Sequence, residues 1–276
     1  MLNSHPGIFI ANEAKVLVRL LPRLQKSAQS LDEQTAQNII TSLEHNELYY
    51  LAPLPRAKDI FHHETNLDAV AFIRALFKAV AGREGKTRWG EKTAVAYRQL
   101  PLIRDSLPDA VFLGLDRDPY EMAASYMKVN PKWGALGAIV HWLDFRRVVY
   151  AQGAKFNFLM VSYDGLVSHP ESTLARVCDH VGEEYDSAML EYYKTNRARA
   201  LASDATFNGP AKPLYQTSQP PDHLQKGLEG IVIKHMIKLD PIRKGRMFRL
   251  SPLFITVKLW VYIRAGLWEL KYRITH

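Results

Sequence analysis

The chain has 276 residues, enough for one catalytic-sized core, and its 47% hydrophobic and 23% charged residues exclude a disordered polymer. A single cysteine, Cys178, excludes an internal disulfide and gives no sign of an oxidising compartment. Residues 211–276 hold 12 Lys+Arg against 4 Asp+Glu, which accounts for the whole net charge of +8 and leaves residues 1–210 balanced at 24 against 24. A basic region of this kind suits a polyanionic donor, an acidic glycan or peptide, or an anionic membrane surface. A solvated basic tail is the plainer alternative, and no nucleic-acid-binding motif accompanies the charge.

The first residues lack a basic stretch followed by an apolar run, so no secretory leader is read there, and a cytoplasmic protein is expected. Residues Asn12 to Ala28 carry apolar side chains at helical spacing, with Pro22 as a kink or break, and Leu31 to His45 repeats the pattern from an acidic first turn. A proline-rich loop follows at Leu51 to Pro55, then an amphipathic helix from Asp68 to Ala81, a short strand at Arg88 to Gly90 and a helix to about Ser106. Ala110 to Leu115 reads as a strand. Helices through Tyr126 and from Gly134 to Ala151 lead to Phe156–Val161, a strand apolar enough to be internal. Helices from Pro170 and Ser187 follow, the first placing Cys178 in the core, and Ser203 to Pro221 reads as a loop that could act as a flap near an acceptor. Pro252 to Leu270 is apolar and aromatic, but Lys258 and Arg264 interrupt it, and a charge at mid-bilayer costs about 2.5–3.5 kcal/mol, which disfavours a spanning helix. A helix covering the domain is preferred to an interfacial one. Strands alternating with helices predict an α/β class with a parallel sheet flanked by helices, over residues 1–210, and a basic helical extension over 211–276 packing on the same domain.

The segment Val111 to Ser125, V-F-L-G-L-D-R-D-P-Y-E-M-A-A-S, concentrates the chemistry. An apolar strand ends at Asp116-Arg117-Asp118-Pro119; Pro119 suits a first helical turn, and Asp118 is a natural cap. Ligands of α/β sheets collect at the carboxyl ends of strands, and helix N-termini favour anions. Arg117 stands at that edge, and Ser125, about two turns along the helix, lies on a face able to reach the same ligand. An arginine fork with a nearby hydroxyl suits a phosphate; an ordinary strand with a surface arginine is the alternative.

Three further segments stand in order around this one: Arg88-Trp89-Gly90-Glu91-Lys92-Thr93 before a helical stretch, Leu107-Pro108-Asp109-Ala110 leading into the strand, and Leu159-Met160-Val161-Ser162-Tyr163-Asp164-Gly165-Leu166-Val167 before His169-Pro170-Glu171. Together with Arg117 and Ser125 they resemble the sulfotransferases that use 3'-phosphoadenosine 5'-phosphosulfate (PAPS), in particular the tyrosylprotein and bacterial carbohydrate-type branch, over roughly residues 1–185. The resemblance implies a P-loop nucleotide-kinase-like fold. In that family a strand and the loop G-x-P-R-S-G-T-T cradle the 5'-phosphosulfate, and a helix then runs into L-D-x-H-P. Met1-Leu2-Asn3-Ser4-His5-Pro6 resembles the end of that helix, so the loop and the first strand of the sheet are expected to be missing, and Met1 to be internal to a longer chain.

The resemblance also implies roles. Counted from His5-Pro6, Glu13 matches the glutamate that takes the proton from the acceptor hydroxyl; the alternative is a first-turn glutamate stabilising its helix behind an Asn12 cap. Lys92 matches the lysine that stabilises charge on the oxygen bridging sulfur and the departing phosphate, against an exposed lysine after a turn. Arg117 and Ser125 would hold the 3'-phosphate. Tyr163 matches the tyrosine of V-x-Y-E-D-L near the nucleotide, where it stacks on adenine or packs under the next helix, although Asp164-Gly165 departs from the usual acidic pair.

Two other chemistries fit poorly. Ala81-Gly82-Arg83-Glu84-Gly85-Lys86-Thr87 resembles a Walker A loop, but Val80 stands at its first glycine and the preceding residues read as helix. His62-His63-Glu64 places adjacent side chains that diverge, so no metal is expected, and one of these histidines could replace Glu13 as base. The expectation is transfer of a sulfuryl group from PAPS to a hydroxyl of a carbohydrate, tyrosine or small molecule, by a protein with peripheral membrane contact through its basic segment. The alternative is a catalytically impaired relative that binds nucleotide or acidic glycan without transfer.

Overall fold

Two parallel strand pairs organise the chain: β1 (Ile8–Asn12) with β2 (Arg88–Lys92), and β3 (Phe112–Asp116) with β4 (Phe158–Ser162). The computed structural model describes residues 1–27, 30–46, 54–61, 65–152, 155–194, 224, 226–240, 252 and 254–263. The helices are α1 (Leu21–Ser27), α2 (Glu33–Asn46), α3 (Ala57–Phe61), α4 (Ala69–Arg83), α5 (Leu100–Ser106), α6 (Pro119–Val129), α7 (Gly134–Gln152), α8 (Tyr163–Ser168), α9 (Pro170–Val181) and α10 (Gly227–Ile237), with a further helix over residues 254–263. The class is α/β with parallel strands, as expected. Contacts divide the chain into two units, Met1–Val111 with His169–Leu214 and Phe112–Ser168 with Tyr215–His276.

In the first unit, β1 corrects the helical reading of the chain's beginning. Ile8-Phe9-Ile10 is a β-branched and aromatic run whose partner is about eighty residues away, so local periodicity could not reveal it. Leu2–Ser4 forms only a 3₁₀ turn, and Asn3 supports β1: its amide donates to the Ile10 carbonyl at 2.7 Å, and its oxygen accepts from the Ile10 N–H at 2.6 Å. This side-chain pairing satisfies part of an outer strand edge. The helix expected from Asn12 starts later, as a π turn over Val16–Leu20 that passes into α1 with Pro22 near the junction. His5 is buried: its Nδ1 accepts from the Gly7 N–H at 3.0 Å, and its Nε2 faces the Glu184 carbonyl at 2.8 Å.

Helix α4 begins one residue into the amphipathic stretch read from Asp68, whose carboxylate caps it by accepting from the Val70 and Ala71 N–H groups, both at 2.8 Å. Its inner face, Phe72, Ile73, Leu76, Phe77 and Val80, is buried, and Phe77 stacks on Trp89 of β2 with centroids 4.6 Å apart. Each such side chain contributes about 1.5–3 kcal/mol of burial, so this contact fixes β2 on the core. The Walker-like residues Ala81–Thr87 are the end of α4 and the turn after it, not a strand and loop. Ser187–Lys194 is 3₁₀ with a kink, and Cys178 is buried 3.5 Å from the Met189 sulfur, as a core thiol should be. Burial, followed by nearby Glu183 and Asp186, raises that thiol's pKa.

In the second unit the strands sit one or two residues later than their apolar runs suggest. Gly114 permits the close layer there, because a Cβ at that position would lie 2.7 Å from the Phe158 ring. Phe158–Met160 are only half-buried and Leu115 is 56% exposed, so β4 is not the internal strand its composition predicts. The physical reason is local: among the described residues each strand here has one neighbour, β3 or β4. The core lies behind them, where α6, α7, α10 and residues 254–263 bury Ala123, Ile139, Leu143, Ile233, Met236 and Phe254. The predicted flap, Ser203 to Pro221, and His62-His63-Glu64 lie outside the described residues.

Candidate active site

At the carboxyl end of β1 the chain turns sharply, with Glu13 and Lys15 both in the left-handed region at φ 53° and 57°. Such non-glycine conformations cost of order 1–3 kcal/mol each and persist only where surrounding bonds hold them, which is typical of functional sites. Here the bonds come from the end of β2. The Glu13 N–H donates to the Lys92 carbonyl at 2.6 Å, and the Lys15 N–H to Thr93 Oγ1 at 3.4 Å. The Glu13 carboxylate accepts from Lys92 Nζ at 2.5 Å and from the Ala94 N–H at 3.3 Å. The first-turn alternative for Glu13 is therefore corrected: Asn12 is a strand residue, and Glu13 lies in the turn. The turn exists because strand pairing fixes Asn12 opposite Lys92.

Beneath this pair is Glu91, which the sequence reading passed over. Neighbouring strand residues project to opposite faces, so Glu91 and Lys92 differ in fate. Lys92 is half exposed, whereas the Glu91 carboxylate accepts from the Leu17 N–H at 2.9 Å and the Thr93 hydroxyl at 2.5 Å. Burial, as the largest cause, raises its pKa from 4.5; these hydrogen bonds oppose the rise and nearby Glu13 adds to it. The alternation of β2 was the signal that could have found it.

The carboxyl end of β3 holds a different arrangement. Asp118 caps α6 as expected, accepting from the Tyr120 and Glu121 N–H groups at 2.9 and 3.2 Å. Those two donors are already occupied, so anion binding here falls to Arg117. Its guanidinium lies 4.5 Å from the centre of the Tyr163 ring, and its Nε donates to Glu121 at 3.2 Å. Its Nη2 is buried with no hydrogen-bond partner among the described residues. A buried donor without an acceptor costs about 1–3 kcal/mol, a cost that a phosphate oxygen removes. Tyr163 opens α8 directly after β4, and Ser125 is exposed on α6 and is not among Arg117's partners.

Arg146 of α7 anchors this end. Buried, it reaches Asp116 of β3 at 2.7 Å and Asp240 at 2.8 Å, and stacks on Trp142 at 4.8 Å. It is a second residue that sequence reasoning missed; Arg146-Arg147 looks like any polar helix face, and only the fold puts Asp240 opposite it. No group of three or more metal-capable side chains occurs among the described residues.

Comparison with known proteins completes the picture. No curated protein matches the chain. Among solved structures it is similar to the sulfotransferase domain from the Synechococcus PCC 7002 olefin synthase, with 15% identity, TM-score 0.44, and coverage of 85% of this chain and 94% of that one. It is similar also to the sulfotransferase domain from the curacin biosynthetic pathway, with 15% identity, TM-score 0.44, and coverage of 93% and 98%. The model of the sulfotransferase family matches residues 1–187, most of the chain, and the protein belongs to that family.

Proposed function

We propose that the protein moves a sulfuryl group from PAPS to the hydroxyl of a carbohydrate, tyrosine or small-molecule acceptor. The observation that carries the donor assignment is Arg117: a part-buried guanidinium whose buried Nη2 has no partner among the described residues, beside an aromatic ring, suits the 3'-phosphate and base of a nucleotide. Glu13 acts as general base. It takes the acceptor's proton as the acceptor oxygen bonds to sulfur and the bond from sulfur to the bridging oxygen breaks. Lys92 meets the negative charge that grows on that oxygen as the 3',5'-bisphosphate leaves. Their contact supports the assignment, because it holds the carboxylate and the cation side by side at one strand end, the one to meet the acceptor oxygen and the other the bridging oxygen of a single sulfuryl group. Ser125 contributes a hydroxyl to the 3'-phosphate once bound.

The protein is read as cytoplasmic, with the basic residues 211–276 as an extension of the catalytic domain. Transfer of radiolabelled sulfate from PAPS, measured across a broad panel of hydroxyl acceptors, tests the reading. Transfer that Glu13→Gln greatly slows is the expected result; inactivity across the panel would sink the enzyme assignment and leave the nucleotide- or glycan-binding alternative.

A further inference from the structure

The helix of residues 254–263 uses one apolar face for the fold. Phe254, Val257 and Val261 are buried in the second unit's core, and Lys258 donates to Asp144 of α7 at 2.6 Å. Gly137 of α7 makes room for it: a Cβ there would lie 3.3 Å from Val261 Cγ1. At about 100° per residue, positions 255, 259 and 263 fall on a different stripe, flanked by 262 and 260. That outer surface is mostly apolar too, with Ile255, Leu259, Trp260, Tyr262 and Ile263 exposed, Leu259 by 58% and Ile263 by 61%, around Thr256, whose hydroxyl donates to the Pro252 carbonyl at 2.9 Å. In the same unit α10 exposes Ile231 together with Lys234, His235 and Lys238.

A helix that is apolar on an outer as well as an inner face packs on the core with one and suits lipid with the other. No described helix is long and apolar enough to cross a membrane, and an outer face of aliphatic and aromatic side chains fits the plane of a bilayer surface. Charge selects the partner. Residues 211–276 carry 12 cationic against 4 anionic side chains, so a second copy of this chain would bring like charge to the contact, whereas an anionic lipid surface brings the opposite. We propose that the outer face of residues 254–263 docks on an anionic membrane, with Leu259, Trp260 and Ile263 entering the head-group boundary and the positive charge of 211–276 drawing the protein there. The inference is independent of sulfuryl transfer.

Flotation of the full chain with phosphatidylcholine vesicles containing phosphatidylserine, and with phosphatidylcholine vesicles alone, tests it. Binding to the anionic vesicles should exceed binding to neutral ones by about tenfold or more and should fall as salt is raised. Leu259→Glu combined with Ile263→Glu should lower it at least about tenfold, with the melting temperature unchanged because both positions are exposed. Failure to bind anionic vesicles, equal binding to both kinds, or binding indifferent to the double substitution overturns the proposal. So does a dimer seen by light scattering that the double substitution dissolves without any vesicle binding, since a second copy then covers the face.

Discussion

The two strand pairs end in opposite electrostatic conditions. At β1–β2, Glu13, Lys92, Glu91 and Thr93 bond to one another and to the backbone of a strained turn, so the cluster is internally paired before any ligand arrives. At β3–β4, Arg117 keeps a buried N–H without an acceptor among the described residues, although Glu121 and Tyr163 hold its position. The first arrangement suits groups that exchange partners during a reaction; the second suits a fixed anion. Strain and satisfaction thus coincide at one end, and rigidity with a missing acceptor at the other.

The strongest way to break this contrast is at the first end. Glu13→Gln should lower turnover by about 10²–10⁴-fold while affinity for the 3',5'-bisphosphate nucleotide changes little, because only proton removal is lost. Unchanged turnover would assign the base to another residue. Lys92→Ala should cost about 10²–10³-fold in turnover if it meets charge that develops only in the transition state.

At the second end, Arg146→Ala removes the cation between Asp116 and the fully buried Asp240, leaving an uncompensated charge. A loss of about 3–5 kcal/mol in thermal or denaturant unfolding is expected. A loss below about 1 kcal/mol would mean that the triad does not anchor β3. Arg117→Ala should weaken nucleotide binding by about 1.5–3 kcal/mol in calorimetry, the range for hydrogen bonds to charged groups. Unaltered affinity would remove the phosphate from this strand end.

The smallest expected effect concerns Glu91 and pH. Its folded pKa lies above 4.5, so burial favours the protonated form. The stability it contributes is full below the unfolded value and is lost as pH rises through the raised folded value. The melting temperature of Glu91→Gln relative to the unaltered protein should therefore climb from about pH 4.5 upward. A difference independent of pH would show that Glu91 does not titrate in this way.

Much of the second end was legible in residue order. Asp118-Pro119 announces a capped helix through local hydrogen bonding and a fixed φ, and the apolar run before Asp116 announces a strand, so Arg117 falls at the strand's carboxyl end. Ser125 was harder, since helical spacing gives a face but not the direction of that face; it is exposed. At the first end Lys92 was expected after a strand ending at Gly90; it is the last residue of that strand, which runs two residues further because it pairs with β1 as far as Asn12. Glu13 was assigned to the start of a helix because the apolar spacing after it is helical, whereas pairing with a distant strand sets the actual turn.

Sequence by itself determined the α/β class, the Asp118 cap of α6, the basic C-terminal region and the strand-end placement of Lys92 and Arg117, because each depends on neighbours within a few residues or on composition. Tertiary structure alone decided that Ile8–Asn12 is a strand, that Glu13 meets Lys92, that Glu91 accepts from Leu17 and that Arg146 lies between two aspartates. Those outcomes depend on pairing between segments distant in the chain, where local periodicity carries no information.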